Sequence, residues 1–131
     1  MWQQLRSERG ASAVEFAFIA PLLILLAVGI AEFGRAFQVQ GTLSAAAREG
    51  VRTMALQNDP TAARSMVRSV ASSLTPSVTD GEIAISPASC PLTYTTGASV
   101  RVSISYRLTF FTGLFGAGVN LNASGVMRCN G

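Results

Sequence analysis

Arg6 to Ala31 reads R-S-E-R-G-A-S-A-V-E-F-A-F-I-A-P-L-L-I-L-L-A-V-G-I-A. A charged segment ends at Gly10, and an apolar run follows in which Glu15 is the one ionisable residue. Counted from Ala11, the run to Ala31 is about 20 residues, the length a helix needs to cross a hydrocarbon core roughly 30 Å thick. A membrane helix here places a carboxylate where insertion costs about 2.5 to 3.5 kcal/mol, and such a residue is by default functional and has a partner. The bland reading keeps Glu15 near enough to the cytoplasmic interface to stay hydrated. Arg6 and Arg9 supply the positive-inside signal that holds the N-terminus in the cytoplasm and sends the rest outward.

Gly10, four small or apolar residues, Glu15, Phe16 and then the apolar run resemble the prepilin signal of type IV pilin-like proteins. The resemblance implies a membrane-embedded prepilin peptidase that cuts between Gly10 and Ala11 and leaves Glu15 as the fifth residue of the mature chain. Cleavage exposes an α-amino group at Ala11, which the Glu15 of a neighbouring subunit can neutralise. A desolvated pair of this kind is weak evidence for stability, but it rejects subunits docked at the wrong height. Glu15 and Phe16 are thus the residues expected to set assembly register. A competing reading takes the same stretch as a secretory signal peptide cleaved after Ala31, although Glu15 and Pro21 sit awkwardly in one.

The helical pattern does not stop at Ala31. Phe33, Phe37, Leu43, Ala47, Val51 and Met54 continue it at steps of three or four residues or their sums, and Glu32 and Arg35 are spaced to pair. No turn cluster appears before Gln57-Asn58-Asp59-Pro60. One helix from about residue 11 to residue 57 is predicted, roughly 70 Å long, with residues 11–31 in the bilayer and 32–57 projecting from it. Pro21 removes a backbone hydrogen bond inside it and marks a kink, either plain bending or the place where the helix loosens on entering a filament.

Ser44-Ala45-Ala46-Ala47-Arg48-Glu49-Gly50-Val51-Arg52 is the second distinctive stretch. Small residues at 45, 46, 47 and 50 let another element approach closely, and Glu49 and Arg52 are spaced to pair across one turn. A solvent-facing charged helix has a similar composition. Following E-F-G-R, however, A-A-R-E-G-V-R resembles the signature of the TadE-like family, the minor pseudopilins of tight-adherence (Tad) pilus systems, and assigns Arg48, Glu49, Gly50 and Arg52 to the family motif. The resemblance covers roughly the first 57 residues well and the remainder loosely. Ser124 to Arg128, S-G-V-M-R, is similar to the family's closing strand, but Cys129 follows directly where many relatives carry an acidic residue. It implies a role in assembly or initiation of the pilus, not bulk filament.

Beyond residue 57 the signals change. Asp59 can cap a helix with Pro60 at its first position, and Ala63, Met66, Val67, Val70 and Leu74 form one apolar stripe before Thr75-Pro76. Glu82 to Ser86, Val100 to Phe110 and Val119 to Cys129 alternate as strands, with Arg101, Ser103, Ser105, Arg107 and Thr109 on a wet face. Cys90 and Cys129 are an even pair in a chain that reads as exported. A disulfide between them closes a loop of about 40 residues and contributes about 3 to 4 kcal/mol; two free buried thiols are the alternative. Phe111 to Gly116 is apolar for a turn and is expected to fold under the sheet as a core plug, the alternative being an exposed patch for a partner subunit or the outer leaflet of the membrane. The expected fold is α+β and pilin-like. A long N-terminal transmembrane helix extends into a small extracytoplasmic domain, where a second helix packs on an antiparallel sheet of about three strands. The expected segments are a cytoplasmic prepilin-type leader (1–10), the long helix (11–57) and the extracytoplasmic domain (58–131).

Composition narrows the functions. The 131 residues carry a net charge of +3 and no histidine, and all ten basic residues are scattered arginines, which form no nucleic-acid patch. Acidic residues never cluster at metal-ligand spacing, and no G-x-S-x-G, S-x-x-K or phosphate-binding glycine loop occurs, so neither an enzyme nor a cofactor is expected. The leading function is a minor pilin or pseudopilin of a Tad (Flp-type) pilus in the inner membrane. Its expected partners are other pilin subunits, the prepilin peptidase and membrane lipid, together with, by resemblance, an inner-membrane platform and an ATPase motor. The alternative is an exported or membrane-anchored binding module with an ordinary signal peptide or signal anchor.

Overall fold

A computed structural model describes residues 2–91 and 97–129, with side chains from residue 8 onward, so the Arg6 side chain lies outside the described residues. Helix α1 runs from Trp2 to Gln57 and α2 from Pro60 to Val70; a 3-10 turn at Asp80–Glu82 leads into β1 (Ile83–Ser86), β2 (Ser99–Thr109) and β3 (Gly118–Arg128). The sheet is antiparallel in the order β1-β2-β3. A long apolar helix, a second helix and a three-stranded antiparallel sheet make the α+β fold expected from the alternation and periodicity. Helix α1 begins nearer the N-terminus than residue 11, because Gln3, Gln4, Leu5, Arg6, Glu8 and Arg9 are good helix formers and only Gly10 opposes them.

The chain divides into two compact units, Met1–Arg35 and Ala36–Gly131. In the first, α1 stays helical through Pro21. Val14, Phe16, Phe18, Ile19, Leu22, Leu23, Ile24 and Leu26 are all exposed. An apolar helix that leaves its side chains uncovered is suited to an apolar surrounding rather than to water, and this one is long and apolar enough to cross a membrane.

The second unit has one core. Val39, Leu43, Ala46, Ala47, Gly50, Val51 and Met54 recur at helical spacing along one face of α1 and are buried, together with Ala63 and Val67 of α2 and Val100, Val102, Ile104, Tyr106 and Leu108 of β2. The two helices meet where Gly50 faces Val67, so closely that a Cβ on Gly50 would overlap the Val67 side chain. On β3, a Cβ on Gly125 would lie 2.9 Å from the Ala47 carbonyl oxygen. Backbone cannot yield there as a side-chain tip can, so Gly125→Ala is expected to destabilise the domain by about 1 to 3 kcal/mol, read as a lower unfolding midpoint in detergent.

Helix α2 starts as its residues require. The Asp59 carboxylate accepts from the Thr61 and Ala62 N–H groups at 2.9 and 3.2 Å, and Pro60 occupies the first turn. The helix ends at Val70, before Leu74, and Met66 lies largely outside the predicted stripe, 37 % exposed. Val102 pairs with Gly125 and Ile85 with Val102, which sets the alternating residues of β2 on the helix-covered face. The Phe111 to Gly116 turn does not fold under the sheet: Phe111 is 80 % and Leu114 61 % exposed. The space beneath the sheet is already filled by α1 and α2, which leaves no volume for a plug.

Candidate functional site

Because α1 carries both motif segments, the candidate site is a helix surface rather than a pocket. Gly10, Ala11, Glu15 and Phe16 are all helical and exposed. Ala11 and Glu15 are four residues apart and share one face. Glu15 makes no hydrogen bond or ion pair among the described residues, and its sequence neighbours Val14 and Phe16 are exposed apolar side chains. An isolated carboxylate within an apolar, outward-facing stretch is chemically an acceptor for a cation that comes from elsewhere.

The second segment divides by chemistry. Ala46, Ala47 and Gly50 turn inward, toward β3 and α2, whereas Ala45 is exposed. The close approach expected of the small residues is therefore made within the domain itself, at three of the four positions. Arg48, Glu49 and Arg52 point outward. The expected Glu49–Arg52 pair does not form, whereas Arg68 pairs with Asp80 at 3.2 Å. Helical spacing permits an exposed pair but does not enforce one, since holding two long side chains together offsets most of the Coulomb gain. The motif thus packs its small residues and displays its charges on the opposite side of the same turns.

Cys90 and Cys129 are joined as a disulfide, with Cα atoms 5.6 Å apart. Sequence reasoning missed what holds Cys90 in place. Asn58, at a positive φ of 51°, accepts from the Cys90 N–H at 2.6 Å and donates to the Cys90 carbonyl at 3.3 Å. Asparagine tolerates this left-handed backbone better than most residues, and its position in the Gln57–Pro60 turn cluster was the available signal. Tyr106 is another such residue: its hydroxyl donates to the Pro76 carbonyl at 2.7 Å and ties β2 to the segment after α2. On the sheet's open face, Glu82, Ser105, Arg107, Asn120 and Asn122 line a shallow polar concavity, where Arg107 donates to the Asn120 side chain at 3.0 Å.

Residues 10–52 match the family model described as TadE-like protein. The chain is TadE-like over this segment. The match opens at Gly10, closes at Arg52 and lies wholly within α1, so it takes in Glu15 and Phe16 as well as Arg48, Glu49, Gly50 and Arg52. It covers about a third of the chain and stops short of α2 and the sheet. No curated protein and no solved structure matches the chain. The matched segment takes in the apolar run that is long enough to cross a membrane.

Proposed function

We propose that the chain is a minor pilin or pseudopilin of a Tad (Flp-type) pilus that takes part in assembly or initiation of the filament. Residues 11–31 hold it in the inner membrane with the N-terminus cytoplasmic, residues 32–57 project outward, and residues 58–131 complete an extracytoplasmic domain. One observation carries the reading: a single uninterrupted helix joins an apolar, uncovered stretch bearing a lone carboxylate to a packed domain, and the TadE-like match falls on that helix. In this reading a prepilin peptidase removes residues 1–10, and the new amine at Ala11 pairs with Glu15 of a neighbouring subunit. Each charge is costly alone in an apolar surrounding, and together they fix the axial height at which subunits dock. The energy for assembly comes from an ATPase motor acting through an inner-membrane platform, partners that follow from the family.

Processing gives the experimental handle. A Gly10→Ser chain, expressed with its pilus system, is expected to accumulate as a larger, uncut band and to be missing from assembled pili. Unchanged mobility together with normal piliation would remove the peptidase step from the account.

A further inference from the structure

The two edges of the sheet are built differently. β1, on one side, is four residues long, is entered through the 3-10 turn and is followed at once by Pro87. β3, on the other, is eleven residues long and keeps its register with β2 from Thr109–Gly118 to Ser99–Arg128 without a bulge. It contains no proline, and its one charged residue is the terminal Arg128. Shortness, proline, charge and bulges are the devices that close a sheet edge to further strands. β1 has two of them, and β3 has none before its last residue.

The hydrogen bonds show which groups the β3 edge offers. Just beyond the two ends of the ladder, the Phe110 N–H donates to the Ala117 carbonyl at 3.1 Å and the Cys129 N–H to the Ala98 carbonyl at 3.0 Å. Bonded residues alternate in an antiparallel pair, so the odd-numbered residues of β3 turn their N–H and C=O groups to β2 and the even-numbered ones turn theirs outward. The Asn122 carbonyl accordingly accepts from the Gln40 side chain at 2.8 Å, outside the ladder. The outward backbone groups of Asn120, Ser124 and Val126 meet no other strand among the described residues. Helix packing also stops short of this edge. On the helix-covered face the alternating residues Val100 to Leu108 of β2 are all buried, whereas Val119 and Leu121 of β3 are half-buried and Met127 is exposed.

We infer that the outer edge of β3 receives an extended segment of a partner protein, which adds to the sheet as a fourth strand. Only another extended backbone presents donors and acceptors at the period of this edge. Its alternate side chains are apolar where they meet Val119, Leu121 and Met127, and uncharged and polar where they lie beside Asn120, Asn122 and Ser124. The inference rests on the proposed function, in which that partner is another subunit of the pilus machinery. A second copy of this chain fits the edge poorly. Gly125 lets the backbone of α1 lie against β3, so a copy paired through its own β3 would bring its α1 under the adjacent strand, about 5 Å away, whereas packed helices need about 8 to 10 Å. A bare extended segment brings no helix with it.

Backbone amide exchange, resolved to single residues, tests this on the full chain purified in detergent and on the chain recovered from assembled pilus machinery. In the purified chain Ser124 and Val126 are expected to exchange fast and Ala123 and Gly125 slowly. In the assembled chain Ser124 and Val126 are expected to slow by at least about a hundredfold. A variant gives the second arm. Ser124→Pro removes one outward N–H and no ladder bond, which an edge strand accepts, and is expected to reduce recovery in the machinery about tenfold or more, while Ser124→Ala leaves it unchanged. The exchange comparison uses the unaltered chain and does not depend on how well Ser124→Pro folds. Equally fast exchange at Ser124 and Val126 in both states overturns the inference and leaves the pilus reading standing, as does normal recovery of Ser124→Pro. Protection that appears in the purified chain and rises with its concentration also overturns it, by showing a second copy on the edge. Absence of the unaltered chain from the machinery overturns the pilus reading itself, and the inference with it.

Discussion

A Glu15→Val chain is expected to insert in the membrane at least as well as the unaltered chain and to be depleted about tenfold or more from the assembled pilus machinery. The two effects have opposite signs for one reason. In isolation Glu15 is an uncompensated carboxylate among exposed apolar side chains, and removing it relieves an insertion cost of about 2.5 to 3.5 kcal/mol. In the proposed assembly the same carboxylate would accept from the Ala11 amine of a neighbour. A charge-assisted hydrogen bond contributes about 1.5 to 3 kcal/mol, and each 1.4 kcal/mol is a factor of about ten in occupancy. Glu15→Gln separates charge from size: it keeps a polar side chain of similar length and should lose incorporation nearly as fully. Quantitative immunoblots of membrane and sheared-pilus fractions read both quantities. Normal incorporation of Glu15→Val would show that register is set elsewhere on α1.

The largest expected loss of stability comes from the paired replacement Cys90→Ser and Cys129→Ser. The bond joins residues 39 apart and closes a loop that contains all of β2 and β3. Chain entropy assigns such a loop about 4 kcal/mol, a large part of what a small domain has in total. The consequences extend beyond the sheet, because Cys90 is gripped through both its N–H and its carbonyl by Asn58, at the turn between α1 and α2. Releasing the disulfide therefore loosens the end of β3 and the turn that orients α2 together. Loss of the near-ultraviolet signal of Tyr106 should report this at a lower denaturant concentration, while the helical signal, dominated by the apolar half of α1, changes little. A shift corresponding to less than about 1 kcal/mol would mean that Asn58 and the core hold the loop without the bond.

Sequence periodicity was enough for α1, α2 and the three strands, because an apolar stripe at helical spacing and an alternating set of Val, Ile, Tyr and Leu each leave few choices. The same periodicity says which residues share a face, but not what that face meets. Ala46, Ala47 and Gly50 read as an approach surface for some other element; that element proved to be β3 and α2 of the same domain. Arg48, Glu49 and Arg52 were equally legible as a charged side of the helix, yet the Glu49–Arg52 pairing was not, since spacing leaves exposed rotamers free. Asn58 looked like ordinary turn material because its partner, Cys90, lies 32 residues away. The Phe111 to Gly116 turn was misjudged for a related reason: whether an apolar turn is buried depends on the room left beneath the sheet, which a linear reading does not reveal. Glu15, by contrast, was conspicuous from the start, because a lone carboxylate in an apolar run is costly whatever the fold.

The central claim is that α1 is kept whole from Ala11 onward as the assembling element, and the N-terminal residue of the chain recovered from cell membranes tests it most directly. Sequencing is expected to begin at Ala11, with Glu15 at the fifth cycle. A chain that begins at Glu32, having lost the apolar run as a signal peptide, or one that still begins at Met1 in assembled pili, would contradict it.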